Sequence, residues 1–148
     1  LRDVYSHQRL ELSDMTLLHA VDMSEYVKAT TPEGSHLLVW GRPMHVNYLS
    51  ERRSPSHIAS SAMFSEPRPS FSRFEAWQER FRQDLVDRPP ALICVGRSLT
   101  DPNAFEDLPR PGGERRLGDV LYVELEAHYG ERPDRTFGNI ECYRRKGS

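Results

Sequence analysis

Hydrophobic and polar positions alternate along the chain with spacings that predict helices and strands in turn. The first helical stripe follows a potential N-cap at Ser13-Asp14. It has aliphatic residues on one side of a helix, at Leu17, Leu18, Val21 and Val27. The segment 31–34 (TPEG) contains a proline and a glycine, which end this helix and turn the chain.

Short apolar runs between the helices predict buried strands. The run at 37–40 (LLVW) is apolar on both faces, which favours a parallel sheet covered by helices. A second strand is expected at 56–59, after Pro55, and a third at 91–95. In 137–144, Ile140 and Cys142 alternate with Glu141 and Tyr143, which predicts a half-buried strand near a sheet edge.

Further helical patterns lie between these strands. A short helix is expected at 44–49. The clearest helix begins at a capping box formed by Ser72 and Glu75. Its hydrophobic side, which we expect to face the core, contains Phe71, Phe74, Trp77, Phe81 and Leu85. A last helix is expected at 117–128, ended by Gly130.

Helices and strands thus alternate through the chain, which predicts a single α/β domain over residues 1–148. The alternation is typical of a three-layer, Rossmann-like fold, with a mostly parallel sheet of about four strands and right-handed crossovers. We expect the strand at 37–40 to lie between those at 56–60 and 91–95. The last strand follows a short turn, which allows it to run antiparallel at the edge.

Two segments lack hydrophobic periodicity. Residues 1–12 are polar and predict a flexible lead-in. Residues 97–116 contain three prolines and a Gly-Gly pair, and predict a long loop of the kind that is functional or mobile. Because the chain begins at Leu1 rather than at a methionine, we expect it to be a fragment or a processed product.

Composition narrows the class of partner. The 148 residues include 20 Lys and Arg against 22 Asp and Glu, a net charge of −2, so we expect no nucleic-acid partner. The mean hydropathy is −0.67, and no apolar run approaches the ~20 residues that cross a bilayer. These values predict a soluble chain.

The chain has two cysteines, Cys94 and Cys142, and neither lies in a CxxC or metal-binding spacing. Each lies in an apolar or alternating run, where a buried, unreactive thiol is the usual state. We therefore expect free thiols. A disulfide between neighbouring strands stays open as the alternative, provided that the two Cα atoms come within about 4.4–6.8 Å.

Sequence motifs of catalytic and metal sites are missing or incomplete. There is no GxGxxG or GxxxxGK[ST] loop. Residues 95–99 (VGRSL) resemble part of the GxSxG hydrolase turn, but Thr100 replaces its second glycine. The six histidines have no metal-binding spacing. We expect no catalytic residue, metal or cofactor in this chain. Pairs of arginines, such as Arg52-Arg53, indicate solvated surface, with anion binding as the alternative.

One candidate ligand site lies at the carboxyl ends of the predicted strands, where doubly wound sheets bind ligands. Guanidinium groups, backbone N–H groups and an indole ring suit an anionic or sugar-like ligand. The candidate binding residues are Trp40, Gly41, Arg42, Tyr48, Arg53, Gly96, Arg97 and Ser98. The alternative is that Trp40 is core, that the arginines are solvated, and that Tyr48 and Arg53 hold the short helix and second strand in place.

Residues 23–58 also resemble a known pattern. Bacterial membrane glycosyltransferases of the dolichyl-phosphate-mannose protein mannosyltransferase type (family 39-like, with GT-C architecture) have a helix, a TPPG turn, a strand ending in WG, a Y.L..RR segment and a second strand. The chain has TPEG at 31–34, Trp40-Gly41, Tyr48-Leu49 and Arg52-Arg53 in this order. Its segments DRPPALICVGR and NIECYRR resemble the family's later helix end and strand, and its closing strand.

The resemblance implies a non-catalytic C-terminal domain of a polytopic enzyme that transfers a sugar from a polyprenyl-phosphate donor. The domain is then expected on the periplasmic side, with a role in acceptor recognition, regulation or assembly. Its expected partners are the transmembrane portion of the same polypeptide and a glycan, lipid-linked sugar or acceptor. The family's catalytic Asp or Glu residues lie near the enzyme's N-terminus, so no residue here inherits their role. The alternative is a free-standing small α/β enzyme or interaction module with a site at the strand ends.

Overall fold

The computed structural model describes residues 17–40, 45–57, 74–96 and 112–147. In chain order they form α1 (Leu17–Thr30), β1 (Leu37–Trp40), α2 (His45–Ser50), α3 (Phe74–Asp87), β2 (Leu92–Gly96), α4 (Gly112–His128), β3 (Arg135–Phe137) and β4 (Ile140–Arg144). The predicted lead-in at 1–12 lies outside these residues. None of the described helices has the length and apolar character needed to cross a membrane.

The described strands form one sheet in the order β1-β2-β4-β3. β1 pairs parallel with β2, and β4 pairs antiparallel with both β2 and β3. The predicted α/β class and four-stranded sheet are confirmed. The pairing is mixed rather than mostly parallel, because the C-terminal part of the chain contributes a hairpin.

The segment from 137 to 144, predicted as one strand, contains the last residue of β3, the turn of the hairpin and β4. Gly138 has a φ of 59°, which an L side chain rarely adopts, and with Asn139 it forms a two-residue turn between β3 and β4. β3 therefore takes the edge position. β4 is antiparallel as allowed, but it lies inside the sheet, and Tyr143 on it is buried.

The other side of β1 is less regular than predicted. Instead of a full neighbouring strand, a single parallel bridge joins His36 to Arg53, and the Leu37 N–H donates to the Arg53 carbonyl at 3.0 Å. Residues 55–57 form bends where the second strand was expected to start, and 58–60 lie outside the described residues. Pro55 has no N–H to donate to a ladder, which explains why regular pairing does not continue there.

The sheet has helices on both faces, which confirms the three-layer architecture. Successive side chains of β1 point to opposite faces. One cluster packs under α3 and α4 and contains Leu38, Trp40, Phe81, Leu85, Ile93, Val95, Leu121, Leu125, Tyr129 and Tyr143. The other packs under α1 and α2 and contains Ala20, Met23, Tyr26, Val27, Leu37, Val39, Val46, Leu92, Cys94, Phe137, Ile140 and Cys142.

The buried side of α1 is rotated from the predicted one. Val21, assigned to the hydrophobic stripe, is 39% exposed, whereas Ala20, Met23 and Val27 are fully buried. Positions 20, 23 and 27 follow the i, i+3, i+7 spacing of one helix side, and Val21 lies about 100° away from the first of them. In α3 the predicted stripe is confirmed at Phe81 and Leu85, which are buried. Phe71 and the predicted cap at Ser72 lie outside the described residues.

α4 begins at Gly112, five residues before the predicted start, so the prediction of loop for 112–116 was wrong. The sequence Glu114-Arg115-Arg116 consists of strong helix formers, with the acidic residue close to the helix N-terminus. These preferences outweigh the two glycines in the first turn. The rest of the predicted loop, 97–111, lies outside the described residues.

The expectation of free thiols was wrong: Cys94 and Cys142 form a disulfide. The two residues lie directly opposite each other on β2 and β4, with their Cα atoms 4.0 Å apart. Directly opposed residues of an antiparallel pair project to the same face. Both cysteines are fully buried there, so each sulfur has the other as its neighbour.

Candidate functional site

The sheet brings the carboxyl ends of β1 and β2 together, as the sequence predicted. The two strands are parallel neighbours, with Trp40 opposite Val95, and Gly96 is the last residue of β2. Gly41, Arg42, Arg97 and Ser98 lie outside the described residues. Ligand binding at these strand ends therefore stays a prediction.

Trp40 occupies the hydrophobic core, the alternative that the sequence left open. It is 1% exposed, and its ring centroid lies 5.3 Å from that of Phe81, tilted by 46°. Its Nε1 is buried and has no hydrogen-bond partner among the described residues. Because the ring is enclosed, it offers no face on which a sugar can stack, and the role of Trp40 is packing.

Arg53 and Tyr48 do not join the strand ends in one site. Arg53 pairs with His36, at the opposite end of β1 from Trp40. Four residues of strand separate those two ends by about 13 Å. Tyr48 lies on α2 with 85% of its surface exposed, so its side chain does not hold the short helix in place.

Asn47 is one of two residues that secure α2, and the sequence analysis missed both. Its Nδ2 donates to the Leu37 carbonyl at 2.9 Å and to the Arg52 carbonyl at 3.0 Å. The side chain thereby ties the helix to the first residue of β1. No sequence signal identifies this role, because an asparagine within a short helix is equally common on the surface.

Arg52 is the second missed residue, and its guanidinium is buried at 6% exposure. Its Nε donates to the Thr31 Oγ1 and its Nη2 to the Thr31 carbonyl, each at 3.0 Å. Its Nη1 donates to the Ser50 carbonyl at 3.2 Å. The cation thus caps the C-terminal ends of α1 and α2, where helix dipoles favour positive charge. The sequence does not distinguish it from the exposed Arg53.

A second polar cluster joins α1 to the β3–β4 hairpin. Asp134 accepts hydrogen bonds from the Tyr26 hydroxyl and, at 2.9 Å, from the Arg144 Nη2. The Tyr26 hydrogen bond, followed by the Arg144 charge, holds the pKa of Asp134 below its usual range. Burial and the neighbouring carboxylate raise the pKa of Tyr26.

Arg135 completes this cluster from the hairpin's outer strand. Its guanidinium carbon lies 5.5 Å from the Tyr26 ring centroid and 5.1 Å from that of Phe137, within cation–π range. The two rings are themselves 5.5 Å apart. The carboxylate and the rings are engaged by donors from the same chain, so the cluster is a clamp between elements rather than an open catalytic site.

The described part of the chain contains no cluster of metal-ligating side chains. Within 17–40, 45–57, 74–96 and 112–147, no three His, Cys, Asp or Glu side chains come together at metal-binding distances.

Comparison with known proteins adds a distant likeness to a solved structure. No protein-family model matches the chain, and no curated protein matches it. Among solved structures, it is similar to the C-terminal globular domain of an oligosaccharyltransferase from Archaeoglobus fulgidus. The TM-score is 0.43 and the identity 10%, over 84% of this chain and 95% of that one. At these values the likeness establishes neither a family nor an activity.

Proposed function

We propose that this chain is a non-catalytic, extracytoplasmic C-terminal domain of a polytopic GT-C glycosyltransferase of the mannosyltransferase-like type. In that enzyme a sugar is transferred from a polyprenyl-phosphate donor, and the domain serves acceptor recognition, regulation or assembly. The transmembrane portion of the same polypeptide is its partner. The observation that carries the proposal is the ordered pattern in residues 23–58.

Each described part of that pattern lies at or near the end of a helix or strand. The TPEG segment at 31–34 follows the end of α1, and Trp40 is the last residue of β1. Tyr48-Leu49 lies in α2, and Arg52, the first of the arginine pair, caps both helices. Sequence motifs at the ends of helices and strands reflect the fold in which they lie. Their order here therefore supports a fold shared with the family that the pattern resembles.

The disulfide supports an extracytoplasmic location. Disulfides form and persist in oxidising compartments such as the periplasm and are rare in the cytosol. The two cysteines of the Cys94–Cys142 disulfide are fully buried in the sheet, which is typical of a disulfide with a structural role. A domain carrying it is expected outside the cytoplasm.

The coding sequence upstream of Leu1 tests the parent architecture. We expect it to encode several hydrophobic segments of about 20 residues each, as a polytopic enzyme requires. An alkaline phosphatase fused after Ser148 is expected to be active in cells, because it folds only outside the cytoplasm. A start codon directly before Leu1 would contradict the proposal. It would also be contradicted if the phosphatase fusion were inactive while a cytoplasmic reporter fused at the same position was active.

The absence of catalysis in the domain itself has a separate test. The purified 148-residue chain is expected to transfer no sugar from a polyprenyl-phosphate donor, whereas the full-length enzyme transfers it under the same conditions. The matched control mixes the chain with the enzyme truncated before Leu1. Turnover by the isolated chain would favour the alternative, a small α/β enzyme.

A further inference from the structure

Basic residues from three segments meet where β1 begins. His36 comes directly before β1 and forms a parallel bridge with Arg53. Its carbonyl accepts the Ala91 N–H at 2.9 Å, just before β2. Arg88 follows the last residue of α3, three positions before Ala91. Main-chain pairing therefore fixes the relative positions of these segments.

The side chains of these residues lie on the same face of the sheet. His36 is two positions before Leu38, which packs in the cluster under α3, so the imidazole projects toward the same face. Bridged residues share a face, which places Arg53 beside it. Arg88 reaches this face from the end of α3. We call His36, Arg53 and Arg88 the basic triad.

The carboxylate of Asp84, which lies beside the triad, already has several partners within the chain. Asp84 is 2% exposed and accepts hydrogen bonds from the Ser56 hydroxyl at 2.7 Å and the Arg88 Nη2 at 2.6 Å. Arg80 also pairs with it at 3.1 Å. One carboxylate thus pairs with the two guanidinium groups of Arg80 and Arg88, so it balances only one of their two charges and none of the charge on Arg53.

Two members of the triad have unused hydrogen-bonding capacity. The Arg53 side chain is exposed and makes no hydrogen bond or ion pair with the described residues. The half-buried His36 imidazole likewise has no hydrogen-bond partner among them. Burial, and then the charges of Arg88 and Arg53, lower the pKa of His36. The two arginine charges therefore disfavour the protonated imidazole, and a bound anion would offset this repulsion.

We propose that the basic triad binds a phosphate group, carried by a lipid headgroup or by a soluble ligand. A guanidinium presents parallel N–H donors that match two phosphate oxygens, and a protonated imidazole adds a third donor. The excess of positive charge suits phosphate. This inference does not depend on the proposed glycosyltransferase context, since it uses only the charges and geometry of the described residues.

Phosphate titration followed by NMR is the first test. The imidazole resonances of His36, assigned by their loss in His36→Gln, are recorded at constant ionic strength with inorganic phosphate replacing chloride. We expect a saturable shift and a higher pKa for His36 in phosphate, because a bound anion favours the protonated ring. If the His36 resonances shift linearly with phosphate concentration and by the same amount as in chloride, the proposal is overturned, because such a shift reflects ionic screening alone.

Substitutions then assign the effect to the triad. Arg53→Gln is expected to weaken phosphate binding about tenfold, since it removes a charge-assisted contact. The matched control is Arg132→Gln, which removes an exposed arginine outside the triad. Equal affinities in the two variants overturn the proposal. Because the Arg53 side chain makes no hydrogen bond or ion pair with the described residues, we expect its replacement to leave the fold intact, which circular dichroism checks.

Vesicle sedimentation distinguishes the sources of the phosphate. Vesicles of phosphatidylglycerol and phosphatidylcholine are compared with vesicles of phosphatidylcholine alone. Binding to the anionic vesicles that Arg53→Gln weakens, and that Arg132→Gln leaves unchanged, identifies a lipid headgroup. Saturable binding of free phosphate without vesicle binding identifies a soluble ligand. Absence of both rejects the triad as a phosphate site.

Discussion

At the scale of single residues, side-chain environment decides roles that residue type suggests only broadly. Trp40 could be assigned to ligand stacking or to the core from its type and position, and its burial against Phe81 selects the core. Arg52 and Arg53 are adjacent and chemically identical, yet one is buried and the other exposed. Such distinctions depend on contacts between segments far apart in sequence, so no local pattern carries them.

The unpaired indole of Trp40 gives a prediction about core substitutions. Because Nε1 makes no hydrogen bond with the described residues, we expect Trp40→Phe to lose volume but no polar contact and to lower the free energy of unfolding by about 1 kcal/mol. Trp40→Ala leaves a cavity and is expected to cost about 3–5 kcal/mol. Urea unfolding measures both. If Trp40→Phe lowered the free energy of unfolding as much as Trp40→Ala does, the indole N–H would have to make a hydrogen bond.

The carboxylate of Asp134 gives a pH-dependent prediction. Since its pKa is lowered in the folded state, chiefly by the Tyr26 hydrogen bond, the ionised form stabilises the fold. This contribution is present above the unfolded pKa, near 4, and is lost as pH falls through the lower folded value. Its side chain is 38% exposed, so we expect Asp134→Asn to cost about 1 kcal/mol or less at pH 7.

The measurement for Asp134 is urea unfolding at several pH values from 7 to 3. The difference in free energy between wild type and Asp134→Asn is expected to stay constant from pH 7 to about pH 5 and to shrink as the pH falls further. Asp22→Asn, which alters an exposed carboxylate of α1, serves as control and should show a smaller difference throughout. A gap between wild type and Asp134→Asn that persists unchanged at pH 3 would contradict a charge-based role.

At the scale of elements, hydrophobic periodicity predicted single strands and helix faces better than the turns and boundaries between elements. The four residues of β1 are apolar on both faces and were located correctly, as was the buried side of α3. The hairpin was missed, although Gly138-Asn139 between alternating residues is a known turn signal. The five-residue error at α4 arose because glycines were given more weight than the helix formers after them.

The cap formed by Arg52 yields a prediction at this scale. Its replacement leaves buried carbonyls at Thr31 and Ser50 without their donors, so we expect Arg52→Gln to lower the free energy of unfolding by about 2–3 kcal/mol. Arg52→Lys should restore little of it, because an ammonium lacks the planar fork that reaches both carbonyls. Denaturant unfolding gives these values.

Arg53→Gln is the matched control for that experiment. It removes the same charge one residue later, at an exposed position, and is expected to change the free energy of unfolding by about 0.5 kcal/mol or less. If both variants lost the same stability, net charge rather than the buried cap would be the cause. Full rescue by Arg52→Lys would likewise argue against the bidentate geometry.

At the scale of the whole molecule, alternation of elements was enough to predict class and layers but not strand order. Any α/β alternation buries a sheet between helices, and the two clusters confirm this. The position of β4 between β2 and β3 depends on pairing between distant segments. The candidate site shows the same limit: the ends of β1 and β2 meet as predicted, whereas Arg53 lies at the other end of β1.

The disulfide provides the prediction that concerns the entire fold. It links residues 48 apart and fastens the hairpin to the parallel pair, so its loss frees a large part of the unfolded chain. Chain entropy alone predicts that reduction lowers the free energy of unfolding by about 4 kcal/mol. Denatured, unreduced protein should show no titratable thiol, and reduced protein should show two. Cys94→Ser, with one thiol before and after reduction, calibrates the assay.

The contradicting outcome is two titratable thiols in protein purified without reductant from an oxidising compartment. The disulfide would then not form there, and it would no longer support an extracytoplasmic location.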